Sequence, residues 1–174
     1  MPAHTAKRPG ASIVAADIEG ARKSAYPGFI EPSHPTLMPK PPRGEKWVHE
    51  VKVDGYRLQL HIGHGKPRAY TRRGHDWSAR FGTIIDATKA LPVKEAIIDG
   101  EVIAPTETGF SDFGELQSAL GGKLSGRLVY FAFDLLYLEG YDLRHAALVD
   151  RKAALARIIA DAEPSITVVI FLAL

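Results

Sequence analysis

The chain has 174 residues, of which 45% are hydrophobic and 24% charged, so it is neither a disordered segment nor a low-complexity one. With no cysteine, a disulfide scaffold, a thiolate metal site and a cysteine nucleophile are excluded. Twenty-two basic against 20 acidic residues leave a net charge of +2, too mild to announce a polyanionic partner by itself. Met1–Gly10 lacks the apolar core of a secretory signal, and the longest strongly apolar run, Ile166–Leu174, is far short of the roughly 20 residues a membrane helix needs. A soluble cytoplasmic protein is the expectation.

Residues 1–27 read as a loosely ordered lead-in. From Glu31 to Lys46, Pro32, Pro35, Pro39, Pro41 and Pro42 forbid a helix or a central strand, so the segment is expected to run extended over a surface. Trp47, His49, Val51 and Val53 alternate with Val48, Glu50 and Lys52, which predicts a strand carrying Glu50 and Lys52 on one face. Asp54-Gly55 then predicts a turn. Leu58, Leu60 and Ile62 mark a second strand and Arg68–Thr71 a third, in an antiparallel meander. Phe81, Ile84, Ile85 and Thr88 predict a helix over Trp77–Leu91, stopped by Pro92. Ala96–Ala104 is rich in strand formers but interrupted by Asp99-Gly100-Glu101. Asp112–Leu120 predicts a short helix ended by Gly121-Gly122, and Leu128–Leu138 a buried strand. Ala147–Ala162 has the pattern of an amphipathic helix carried by Leu148, Leu155, Ile158 and Ile159. The fold class is α+β, with antiparallel strands flanked by helices.

Four clusters could carry chemistry. Glu50-Val51-Lys52-Val53-Asp54-Gly55-Tyr56-Arg57 places a lysine among two carboxylates and an arginine. It is either a solvated strand edge or a nucleophile, and a nucleophilic lysine must have its ammonium destabilised. Thr71-Arg72-Arg73-Gly74 belongs to a basic strip of Arg57, Lys66, Arg68, Arg72, Arg73 and Arg80 with Asp76 alone opposing it. Its arginines either fork onto phosphates or face water. Asp99 and Glu101 are costly inside an apolar strand unless paired, metal-bound or at an edge. Phe133, in Phe131-Ala132-Phe133-Asp134-Leu135-Leu136, is core or a stacking platform for a base. The seven histidines are dispersed, without the helical spacing of a zinc pair.

Taken in order, Lys52-x-Asp54-Gly55-x-Arg57, Arg72-x-Gly74, Asp99-Gly100-Glu101 and Phe133-Asp134-Leu135-Leu136 resemble the nucleotidyltransferase motifs of ATP-dependent DNA ligases. Gly28-Phe29-Ile30-Glu31-Pro32, Lys40-Pro41-Pro42, Trp47-x-His49-Glu50 and Ser111-Asp112-Phe113-x-x-Leu116-Gln117 are similar to the ligase module of bacterial DNA ligase D. The resemblance runs from about Pro27 to about Ser165. It implies an α+β fold that is part of a nucleotidyltransferase (ATP-grasp-like ligase) adenylation domain, over residues 28–165. It implies ATP and Mg²⁺ or Mn²⁺ as cofactors, and nicked or broken double-stranded DNA as partner. A Ku-like end-binding protein is left open.

By the same resemblance, Lys52 would be the catalytic nucleophile that takes AMP from ATP. Glu50 would contact the adenine edge, Phe133 would stack on the ring, and Arg57 and Arg72 would hold ribose and phosphate. Glu101 would bind the ribose or the metal. Thr71 stands where the family usually has Ser. The later Glu-Gly-x-Val/Ile-x-Lys motif, a further lysine motif and the oligonucleotide-binding barrel are not found. Residues 166–174 therefore read as a divergent, aggregation-prone apolar tail, and the chain as a C-terminally truncated ligase with little or no activity alone. Two other readings are an RNA ligase or capping-type nucleotidyltransferase, and a non-catalytic fragment that binds nucleic acid or a partner protein.

Overall fold

The computed structural model describes residues 13–44, 46–105, 116, 128–160, 162, 165–168 and 171–172. The helix expected over Asp112–Leu120 lies outside them except for Leu116, which is buried. The strands are β1 (Arg22–Lys23), β2 (His49–Glu50), β3 (Tyr56–Ile62), β4 (Arg68–Thr71), β5 (Ala96–Ile103), β6 (Val129–Leu138), β7 (Tyr141–Asp142), β8 (Ile166–Val168) and β9 (Phe171–Leu172). The helices used below are α1 (Gly82–Thr88) and α2 (Leu148–Ile159).

Seven strands form one sheet in the order β1-β7-β6-β5-β3-β4, with β8 also on β6. Every pairing in it is antiparallel except β6–β8. A parallel pair needs a crossover, and α2 supplies it between β7 and β8. The apolar run expected as a divergent, aggregation-prone tail is partly built in: Ile166 is buried beside Tyr130, and β9 pairs with β2.

The meander holds for β3 and β4, but β2 does not join it. Only His49–Glu50 of the expected seven-residue strand is extended, and it pairs with β9 in a separate two-stranded ribbon. Trp47 and Val51, the apolar half of that alternation, stay exposed, so no core face holds a longer strand in register. The Trp77–Leu91 helix is shorter than its pattern: a 3-10 turn at Ser78–Arg80 precedes α1, and the buried side chains are Phe81, Ile84, Ala87 and Thr88.

Leu58, Leu60 and Ile62 of β3 face one side of the sheet, with Ile98, Ala132 and Leu135, and pack against α1 and α2 through Ile84, Leu155 and Ile158. On the opposite face of β3, Gln59 and His61 are also buried. There the Gln59 amide accepts from the Ile30 N–H and donates to the Ile30 carbonyl, both at 2.9 Å. This pins the start of the proline-rich segment onto the sheet. His61 Nε2 lies 2.9 Å from Gln59 Oε1, so that nitrogen donates, and Nδ1 then accepts from the Tyr26 hydroxyl at 3.0 Å.

Burial pushes His61 down to about 4. The unfolded chain, with histidine near 6.5, binds the extra proton first, so stability falls as pH drops from about 6.5 to about 4. In urea unfolding, the wild-type chain should lose about 2–3 kcal/mol more across that window than a His61→Gln chain. Parallel pH profiles for the two would contradict the burial argument.

Candidate functional site

Two glycines let the central strands close up at the site. A Cβ on Gly55 would lie 2.1 Å from the Val102 carbonyl oxygen, and one on Gly100 would lie 2.4 Å from the Tyr130 ring. Asp54-Gly55 is therefore less a hairpin turn than a point where the chain grazes the β5 backbone. The Gly55 N–H donates to Glu101 Oε1 at 3.1 Å, which fixes that carboxylate at the strand entrance. Asp99-Gly100-Glu101 does not interrupt β5, which runs unbroken between β3 and β6, so neither carboxylate sits at a sheet edge.

The cost of burying Asp99, whose side chain is only 3% exposed, is offset by Arg57. The guanidinium donates through Nε at 3.2 Å and Nη2 at 2.7 Å to the two carboxylate oxygens, and through Nη1 at 3.1 Å to the Ser33 carbonyl. It also lies over the Phe133 ring, 5.4 Å from the centroid. Burial raises the pKa of Asp99 despite Arg57, and burial likewise raises that of Glu101. Arg57 itself is held above its ordinary value: desolvation pulls it down, and the Asp99 carboxylate more than compensates.

Phe133 owes its place to a bulge. In the β5–β6 register Asp99 faces Asp134 and Gly100 faces Ala132, so Phe133 has no opposite number. Bulges re-aim side chains, and here one turns Phe133 out of the core that its neighbours Ala132 and Leu135 join. Of the two sequence readings of this aromatic, packed core is ruled out.

The proline-rich segment supplies the facing wall. His34 Nδ1 is 2.9 Å from Arg72 Nη2. Arg72 and Arg73 project from a tight turn closed by the Gly74 N–H donating to the Thr71 carbonyl at 2.8 Å. Lys52 lies beyond β2, exposed over 80% of its side chain and ion-paired with Asp54. Glu50, on β2, pairs with Lys152 of α2.

One cavity of about 560 Å³ is lined by Glu50, Lys52, Arg57, Arg72, Glu101 and Phe133 together, with His34, Pro35, Val51, Val53 and Asp54. That is within the range of small-molecule sites. An adjoining cavity of about 1040 Å³ shares His34, Arg57, Arg72 and Glu101 and extends over Phe29, Tyr56, Arg73 and Trp77. Two other members of the basic strip are engaged elsewhere: Arg68 pairs with Asp76 at 2.6 Å, and Arg80 stacks on Trp77.

Three partners escaped the sequence reading. Lys152 is buried to 2% and donates to the Phe133 carbonyl at 2.6 Å as well as to Glu50. Arg151 grips Asp134 with two hydrogen bonds of 2.7 and 2.9 Å. His34 looked like one more dispersed histidine. Lys152 did leave a signal, because it lies on the apolar stripe of α2 between Ala154-Leu155 and Leu148. Leu148, expected to anchor that stripe, is instead largely exposed.

No helix among the described residues is long and apolar enough to cross a membrane. Nor does any group of three or more His, Asp or Glu side chains among them form a metal cage. The Glu101 carboxylate at the cavity wall suits a magnesium ion, which commonly takes one or two carboxylates and fills its remaining positions with water and substrate phosphates.

A central antiparallel sheet flanked by helices, with a lysine, carboxylates and arginines gathered around one cavity, is a nucleotidyltransferase-type fold. The family described as ATP dependent DNA ligase domain matches residues 35–171, and the chain belongs to it. It is 40% identical over 137 residues to the multifunctional non-homologous end joining protein LigD of Pseudomonas aeruginosa, a match covering 79% of this chain and 16% of that protein. It is 34% identical over 124 residues to DNA ligase B of Mycobacterium tuberculosis, covering 67% and 24%. Among solved structures, mycobacterial DNA ligase D complexed with ATP and MES superposes with a TM-score of 0.63 at 28% identity, over 72% of this chain and 40% of that one. The ligase domain of M. tuberculosis LigD gives 0.62 at 28% identity, over 73% and 40%. The chain thus spans a quarter or less of the curated relatives it matches.

Proposed function

We propose that this chain is the nucleotide-holding part of the adenylation unit of a DNA ligase that acts in end joining. In this reading the 560 Å³ cavity receives ATP, and residues 28–165 carry the adenylation function. The carrying observation is that Lys52, Glu50, Arg57, Arg72, Glu101 and Phe133, drawn from four separate stretches of sequence, all line one cavity.

The base stacks on the Phe133 face that Arg57 does not cover, and Glu50 accepts from the adenine amino group. Arg57 and Arg72 sit at ribose and phosphate, where forked donors match phosphate oxygens. Lys52 Nζ, having released its proton, attacks the α-phosphorus. A P–N bond forms, the P–O bond to pyrophosphate breaks, and AMP is held on the lysine. AMP then passes to a DNA 5′-phosphate, and the 3′-hydroxyl displaces it as the strand is sealed. A divalent ion held at Glu101 with the phosphates would neutralise their charge. The surrounding residues contribute position and electrostatics.

Because the relatives are several times longer, nick sealing is assigned to the whole protein, and this chain alone is expected to form little lysyl-AMP. Its direct test is equilibrium binding. Titration calorimetry should show ATP binding in the presence of magnesium, stronger than GTP binding and weakened about fivefold or more by Phe133→Ala, since base–aromatic stacking contributes roughly 1–3 kcal/mol. Equal affinity for GTP would favour the capping-type alternative, and salt-sensitive DNA binding without ATP binding would favour a non-catalytic fragment.

A further inference from the structure

Lys152 touches neither of the two cavities, yet it joins both ends of the base-binding wall. It sits on α2, behind the sheet, at a position whose helical neighbours Leu155 and Ile159 are core. Its ammonium meets the Glu50 carboxylate on β2 and the Phe133 carbonyl on the β6 bulge, at 2.6 Å for the latter. The preceding residue, Arg151, holds the next bulge residue, Asp134, by two hydrogen bonds. Two successive residues of one helix therefore grip two successive residues of one bulge. Among the described residues, the strand pairing of β2 is limited to two residues of β9.

We infer that Lys152 is a positioning residue for nucleobase recognition, fixing Glu50 and Phe133 relative to each other so that the cavity prefers a base presenting an amino group to one presenting a carbonyl. The inference rests on the ATP reading above. An ionised carboxylate only accepts hydrogen bonds. Lys152 engages Oε1 of Glu50, and in this proposal Oε2 accepts from an exocyclic amine. A guanine O6 at the same place would meet an acceptor and be rejected. Without the ammonium, Glu50 can turn to solvent, since its side chain is already 28% exposed, and the bulge carbonyl loses a charged donor. The ring of Phe133 and the carboxylate then lose their common reference point.

The test compares the full chain with Lys152→Met and Lys152→Arg, each first checked for a cooperative thermal transition. Methionine matches the apolar surroundings, and Glu50 can rehydrate, so the variant is expected to fold. ATP and GTP dissociation constants are then measured by calorimetry. The expected result is a rise of about tenfold or more in the ATP constant for Lys152→Met, with little change for GTP, and substantial recovery in Lys152→Arg. An ATP/GTP ratio unchanged in Lys152→Met, with ATP still bound by the wild-type chain, would overturn the positioning role and leave the ATP site intact. Failure of the wild-type chain to bind ATP would instead overturn the functional reading, and this inference with it. If Lys152→Met does not fold, Glu50→Gln serves in its place. It keeps the wall packed while removing the charge that Lys152 orients, and it should narrow the ATP/GTP ratio, whereas an unchanged ratio overturns the role.

Discussion

A Lys52→Ala chain should keep its stability and its affinity for ATP while losing all covalent labelling by α-labelled ATP. Lys52 is mostly solvent-exposed and its ion pair among the described residues is with the equally exposed Asp54, so its removal is expected to change unfolding free energy by less than about 0.5 kcal/mol. Among the described residues no other lysine lines the cavity to take the AMP in its place. The measurement is acid-quenched gel labelling, run with more of the ligase module supplied where the chain alone labels weakly. Label persisting in Lys52→Ala would remove Lys52 from its proposed role. A concomitant loss of folding would show that the exposed pair matters structurally in a way its geometry does not suggest.

Arg57→Ala should have the opposite profile, a large loss of stability together with a loss of binding. The substitution leaves Asp99 buried in a central strand without its two-pronged partner. Breaking such a pair from one side costs about 3–5 kcal/mol. An Arg57→Ala/Asp99→Asn double variant should recover much of that stability, because the amide does not carry the stranded charge. It should not recover ATP binding, since the guanidinium over Phe133 is still missing. Urea unfolding of the single and double variants separates the two effects. Additive destabilisation in the double variant would show that Arg57 and Asp99 do not act as a pair.

Much of the sheet was legible because its signals are local. The alternation of Leu58, Leu60 and Ile62, the apolar run of β6 and the helical pattern of α2 each needed only their own residues. Asp99 showed the limit of local reading. Its cost in an apolar strand was evident, but its partner lies 42 residues away and was identified only through the β3–β5 register. The β2 segment misled for the converse reason: alternation predicts a strand only where a face is buried, and Trp47 and Val51 have none. The site residues were found through their resemblance to ligase motifs rather than by periodicity. The Phe133 bulge left no mark in the pattern, since the residues around it, Asp134 apart, are apolar on both faces and one extra residue changes no alternation.

The hold of Gln59 on Ile30 has a further consequence. A strand added to a sheet is secured by many backbone bonds, and it peels away from one end. Here a single amide takes both hydrogen-bonding groups of one residue, so the backbone is riveted at one point, with the buried Pro32 packed just beyond it. Beyond that rivet, the Ser33 carbonyl and the His34 ring reach Arg57 and Arg72 across the cavity. The proline-rich segment can thus detach from the two arginines and swing about Ile30 without any strand unzipping. In the proposed ATP site, a bulky nucleotide would enter beneath it at the expense of two side-chain contacts and the packing of Pro32, leaving the sheet undisturbed.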